Sequence, residues 1–163
     1  MVKKILLILV AALVLIQFFP MSKNDAHGPQ PNYIGTKYFV PGDVKSILNR
    51  ACMDCHSNYT EYPWYAKVQP IGFWVNNHVN DGKRHLNFDE FTTKPVRYQY
   101  KKLDETIEMV KENEMPLESY TWIHKDAKLT QDEKVALTNW AQKIMDELKA
   151  NNPPESFERE KRD

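Results

Sequence analysis

An all-helical, single-domain fold is what this sequence predicts, and three observations predict it. Several stretches repeat apolar residues at i, i+3, i+4 and i+7, one face of a 3.6-residue helix. No stretch shows the apolar–polar alternation of a half-buried strand. The length, 163 residues with 42% hydrophobic and 27% charged, is one globular domain's worth of chain. The 22 basic residues balance the 22 acidic ones, which gives no electrostatic reason to expect a nucleic-acid partner. Two cysteines are too few for a disulfide scaffold.

The chain opens with "MVKKILLILVAALVLIQFFP", residues 1–20: Lys3 and Lys4, an unbroken apolar run from Ile5 to Ile16, then Gln17, Phe18, Phe19 and Pro20. That layout is a secretory signal peptide or a membrane anchor. The run is short against the roughly 20 apolar residues of a bilayer span, although snorkelling lysines and interfacial phenylalanines lengthen its reach. Phe18, Pro20 and Asn24 stand where a small-x-small cleavage site would be sought, and no cysteine is near to take a lipid, so an uncleaved anchor is the expectation. Lys3 and Lys4 then stay in the cytoplasm and the rest of the chain is exported, to the periplasm or outer surface. Residues 21–41 are polar and rich in Pro and Gly, and read as a flexible linker, with His27 a solvated residue in it.

The domain is expected over residues 42–150. In "PGDVKSILNRACMDCH", Asp43 is the candidate N-cap, and Val44, Ile47, Leu48, Ala51, Cys52 and Cys55 share one helical face, which aims both thiols toward the core. "PIGFWVNNHVNDG" predicts a second helix closing at Asp81–Gly82, and "DETIEMVKENE" a shorter one with Ile107 and Val110 inward. The last helix opens on a Thr130/Glu133 capping box, repeats Leu137, Trp140, Ala141, Ile144, Met145 and Leu148, and stops before Pro153–Pro154. First and last helices are expected to pack on each other, and residues 151–163 form a charged, frayed tail.

The chemistry is concentrated in "CMDCH", Cys52 to His56. A redox CxxC belongs at a helix N-terminus in a βαβ setting, where the dipole lowers the thiol pKa; here it ends a helix. A structural zinc site needs four ligands, and His78, His85 and His124 are not paired to supply them. Haem accounts for the tripeptide: two thiols one helical turn apart can each bond a vinyl group of one porphyrin, and the adjacent histidine can ligate the iron. The expected cofactor is therefore one covalent haem c, with its iron on His56. For the other axial position Met115 stands out, because Pro116 stiffens the loop that follows a helix, whereas Met145 lies on an apolar helical face and is expected to pack.

At these residues the chain resembles the haem-binding domain family of small exported bacterial proteins. "CMDCHSNYTEYPWYAKVQPIGFWV", "HVNDGKRHLNFDEF" and "EMPLESYTWIHKDAKLTQDEKVALTNWA" carry the likeness, over about residues 44–143. The family resembles class I, mono-haem cytochromes c, which implies a small cytochrome c-like helical fold, haem held by Cys52 and Cys55, His56 on iron and Met115 as distal ligand. By the same similarity Pro70 is expected to offer its carbonyl to the other His56 nitrogen. His78 and His85 are alternative distal ligands. Trp64, Tyr65, Phe73 and Trp74 either wall the porphyrin or pack as core. His85, Asn87 and Phe88 are expected to build a capped turn, and His124 to be structural or exposed.

Two saturating axial ligands suit a one-electron carrier, serving a redox partner protein near the membrane, rather than an enzyme. A haem-based sensor, in which Met115 yields to a small ligand, is the alternative. A non-haem thiol or zinc module is the third reading, and a di-haem peroxidase lacks its second CxxCH.

Overall fold

The computed structural model describes residues 1–158, and the end of the expected charged tail, 159–163, lies outside them. Within that span the chain is all-helical, with seven α-helices joined by short 3₁₀ turns and a single isolated bridge, Asp25 to Tyr59. Helix α1 is Val2–Ile16, α2 Gly42–Ala51, α3 Met53–His56, α4 Ile71–His85, α5 Val96–Lys111, α6 Glu118–Thr121 and α7 Gln131–Asn151.

The core is built around α7, which packs against α5 and α2. Its predicted stripe, Leu137, Trp140, Ala141, Ile144, Met145 and Leu148, is buried throughout, facing Leu103, Ile107 and Val110 of α5 and Val44, Ile47 and Leu48 of α2. Both halves of the Thr130/Glu133 capping box form. Trp140 buries its ring and still satisfies its indole N–H on the Phe39 carbonyl at 3.1 Å. Arg50 of α2 meets Glu133 of α7 at 2.6 Å, which holds the Glu133 carboxyl below its usual value.

Four sequence expectations change here. Asp43 is not the N-cap of α2: Pro41 holds that position, and Asp43 sits in the first turn, where its charge favours the helix N-terminus. The helix expected within "DETIEMVKENE" begins two turns earlier, at Val96, because the apolar face continues through Leu103 and buried Gln99. Gln99 earns burial by accepting from the Tyr38 hydroxyl and donating to the Lys94 carbonyl, each at 2.6 Å. The helix expected to close at Asp81–Gly82 continues to His85.

The largest change concerns residues 21–41, which are not a free tether. Asn24 is buried, its amide donating to the Ser57 carbonyl and the Thr60 hydroxyl and its backbone N–H to Tyr62. Ile34 and Tyr38 lie in the core itself. The polar composition was misleading because a handful of apolar residues, spaced irregularly, suffices to dock a non-helical segment.

Helix α1 is the exception to this packing. It buries no residue against the domain. At 15 residues it is about 22 Å long, and among the described residues no helix is long and apolar enough to cross a membrane.

Candidate cofactor site around Cys52, Cys55 and His56

Helix α2 runs into the motif and breaks there. Cys52 leaves helical geometry at φ −127°, and α3 restarts the chain over Met53–His56. The two thiols stay close enough to act on each other electrostatically but have different neighbours. Cys52 packs against the core, whereas Cys55 borders a cleft. Both are free thiols in apolar surroundings; burial pushes Cys52 up to about 12 and Cys55 up to about 11. A nucleophilic redox pair needs the opposite shift, since the thiolate is the reactive species. Among the described residues no group of three His, Cys, Asp or Glu side chains converges to hold a metal, which leaves a zinc site without its ligand set.

His56 is held by one ring nitrogen. Its Nδ1 lies 2.9 Å from the Leu86 carbonyl oxygen. A carbonyl only accepts, so Nδ1 carries the hydrogen, and the neutral ring keeps its lone pair on Nε2. Burial lowers the His56 pKa, against the opposing pull of the Leu86 and Gly82 carbonyls, and so favours that neutral, ligating form. The expected partner, Pro70, is corrected: its carbonyl accepts the Trp74 N–H at 3.2 Å and serves the first turn of α4.

The Leu86 carbonyl is itself fixed by a latch on the chain just after the motif. Asn87 caps the turn by accepting from the Asp89 N–H at 3.0 Å, as its sequence suggests. Its amide also donates to Asn58 Oδ1 at 2.7 Å, and the Asn58 backbone N–H donates to Asp89 Oδ2 at 2.8 Å. Phe88, buried, sets its ring edge-on to His56 with centroids 6.4 Å apart. Gly82 lets α4 approach closely: a Cβ there would stand 2.5 Å from the Cys55 carbonyl oxygen.

The cleft beside Cys55 is shallow, with a cavity volume of about 60 Å³, below the roughly 300–1,000 Å³ of a small-molecule pocket. Tyr65, Trp74, His78, Val79, Leu117, Tyr120, Ile123 and His124 are among its walls. Of the four aromatics considered as haem walls, Tyr65 and Trp74 line it. Trp64 and Phe73 do not, and neither is core, since both are exposed. His124 stacks on Tyr120 with centroids 4.2 Å apart and meets the Tyr65 hydroxyl at 3.1 Å.

Met115 is half-buried and does not line the cleft, although Leu117, two residues on in the same loop, does. The loop's start is rigid. Asn113 adopts φ +64°, and the Glu114 N–H returns to the Met109 carbonyl at 2.9 Å, a Schellman stop to α5. The Met115 N–H shares that carbonyl at 3.2 Å. The loop's far end is tied to the motif, because the Tyr120 hydroxyl donates to Asp54 Oδ2 at 2.7 Å while Asp54 Oδ1 accepts the Glu61 N–H at 3.1 Å. Replacing Tyr120 by Phe should cost about 1.5 kcal/mol, the worth of a hydrogen bond to a charged group, and urea denaturation of the protein would measure it. Of the histidines, His78 lines the cleft with Cys55. His85 is exposed, at the C-terminal end of α4 and next to Leu86, and does not line the cleft.

Asp54, Asn58, Leu86 and Tyr120 are not site candidates from sequence, and Gly82 reads there only as a helix end. Asp54 alone carries a positional signal, by lying between the two cysteines.

The chemistry of these residues fits a haem: two protonated thiols three residues apart, an imidazole anchored at Nδ1, and an apolar cleft with aromatic walls touching one of the thiols. Comparison with known proteins agrees. A family model described as a haem-binding domain matches residues 11–143. No curated protein and no solved structure matches the chain.

Proposed function

The chain belongs to the haem-binding domain family, and from that premise we propose that it is an exported, membrane-tethered, mono-haem cytochrome of the c type that transfers single electrons. Cys52 and Cys55 would hold the haem through thioether bonds, and His56 and Met115 would be the axial ligands of its iron. Bound haem supplies an iron centre that takes up and releases one electron. What this chain contributes is orientation and environment. The Leu86 carbonyl fixes the His56 tautomer, the Asn87–Asn58 latch fixes the carbonyl, and the largely apolar cleft wall would face the macrocycle.

The observation that carries the reading is the His56 ring, anchored at Nδ1 by a backbone acceptor and directly following the second thiol. A ligating histidine needs that anchor, and a buried structural histidine has no reason to sit next to a CxxC. The rigid Schellman stop before Met115 supports the sulfur as the sixth ligand. Residues 1–20 would be the tether, with Lys3 and Lys4 cytoplasmic and the domain on the outer side, near a redox partner protein. The 22 Å of α1 falls short of a 30 Å hydrocarbon core by about 8 Å, a mismatch that local thinning and flanking Phe18 and Phe19 can absorb.

The test is spectroscopic. Protein matured in a host that attaches haem c should give a pyridine haemochrome with covalent haem after acid–acetone extraction. Its ferric form should show sulfur-to-iron charge-transfer absorption that disappears in Met115→Ala, with a fall in reduction potential. A second reading is favoured by one observation, His78 in the cleft beside Cys55. If the native protein lacks the sulfur band and His78→Ala opens the iron to small ligands, His78 is the distal ligand. Fast carbon monoxide binding by the untouched ferrous protein would identify the sensor alternative.

A further inference from the structure

We infer that the face formed by residues 63–74 rests in the lipid headgroup layer and fixes the orientation of the domain on the membrane. This rests on the tether reading above and goes beyond it, from attachment to a specific lipid-facing surface.

Three observations converge. The first is composition. From Tyr62 to Asn80 the chain carries no acidic residue and a single formal charge, Lys67. The second is exposure. Trp64 is 77% exposed, and Val68, Ile71 and Phe73 are exposed beside it. With exposed Lys67 they form an aromatic-rich patch carrying one positive charge, of the kind that settles at a membrane–water boundary, where rings are amphipathic and lysine can reach phosphate.

The third is the join to α1. Gln17, at the C-terminal end of the apolar helix, makes a reciprocal pair with Gln69: its side-chain amide donates to the Gln69 carbonyl at 3.0 Å and its side-chain carbonyl accepts the Gln69 N–H at 2.9 Å. Gln69 is buried in the middle of the patch segment. The anchor therefore ends at this face.

Geometry then leaves no slack. Residues 21–41 dock on the domain instead of spacing it from the bilayer, so α1 is fastened directly to residue 69. A helix that exposes its whole apolar surface and is shorter than the hydrocarbon core draws its attachment point toward the membrane. The residues around that point are Trp64, Val68, Ile71 and Phe73, with Phe18 and Phe19 exposed next to the join. A bilayer surface is the one occupant that covers the patch and α1 together.

The experiment uses the full chain with haem, in phosphatidylcholine vesicles carrying a diazirine at the glycerol level. Photolysis is followed by mass spectrometric mapping of lipid adducts. Adducts on residues 63–74 should exceed those on the outward face of α7 several-fold. They should be lost in Val68→Glu/Ile71→Glu while labelling of α1 persists. Labelling of α1 with none on 63–74 would overturn the inference and leave the tether standing. Failure of the chain to co-sediment with vesicles would overturn the tether and the inference with it. Protection of the patch by cross-linked dimers, in place of lipid adducts, would overturn the inference in favour of a second copy.

Discussion

Alanine in place of Gly82 is expected to destabilise the domain by up to about 2 kcal/mol net, the usual cost of about 1–3 kcal/mol for forcing volume into a packed contact less about 1 kcal/mol of helix propensity, and to cut the yield of haem-loaded protein. Two effects oppose each other. Gly82 lies inside α4, and alanine in a helix interior is worth about 1 kcal/mol over glycine. Against this, the new Cβ would meet the Cys55 carbonyl oxygen at 2.5 Å and its carbonyl carbon at 3.1 Å. Those are backbone atoms, so no side chain can swing away, and α4 must move off α3. That movement also carries Leu86, one residue past the end of α4, away from His56 Nδ1. The overpacking term wins. Gly42→Ala is the control: nothing lies within 4 Å of a Cβ there, and no positive φ constrains it. Thermal denaturation of both variants beside the parent protein would check the pair, and an unchanged midpoint for Gly82→Ala would refute the close-approach argument.

Truncation of Phe88 to alanine should cost about 3–5 kcal/mol, the range for removing a buried aromatic. Set against total stabilities of roughly 5–15 kcal/mol, this is enough to populate unfolded chain. The ring is 2% exposed and contacts Phe91, with centroids 6.5 Å apart, on one side and His56 on the other. Its loss removes the apolar backing of the imidazole and loosens the Asn87–Asp89 turn that presents the Leu86 carbonyl. Phe88→Leu, which keeps most of the volume, should cost under about 1.5 kcal/mol. Urea denaturation gives the stabilities. The iron spectrum of whatever folds reports whether His56 has lost its orientation. A Phe88→Ala protein with parental stability would show that the ring is not part of the core that supports the site.

The Gly82 and Phe88 expectations rest on contacts between segments far apart in sequence, which is also where sequence reasoning reached its limit. Gly82 looked like a helix terminator because glycine commonly ends helices; its purpose is to admit the Cys55 backbone, a neighbour 27 positions earlier, as subtraction of the two residue numbers gives. Pro70 was the expected partner of His56, and Leu86 supplies the carbonyl instead, since any backbone carbonyl can do so and only packing selects which. Residues 21–41 looked like a linker from composition, yet Asn24, Ile34 and Tyr38 are buried.

By itself the sequence determined the all-helical class, the buried stripe and capping box of α7, and the inward face of α2 up to Ala51. Those features depend on periodicity and on residues within one or two turns of each other, and local physics is written in local sequence. Only the tertiary structure decided which carbonyl holds His56, which thiol faces the cleft, how Asp54 and Tyr120 bind the Met115 loop to the motif, and that the C-terminal end of α1 meets the domain at Gln69. Each of these is a pairing between distant segments, set by how whole elements pack, and no spacing along the chain encodes it.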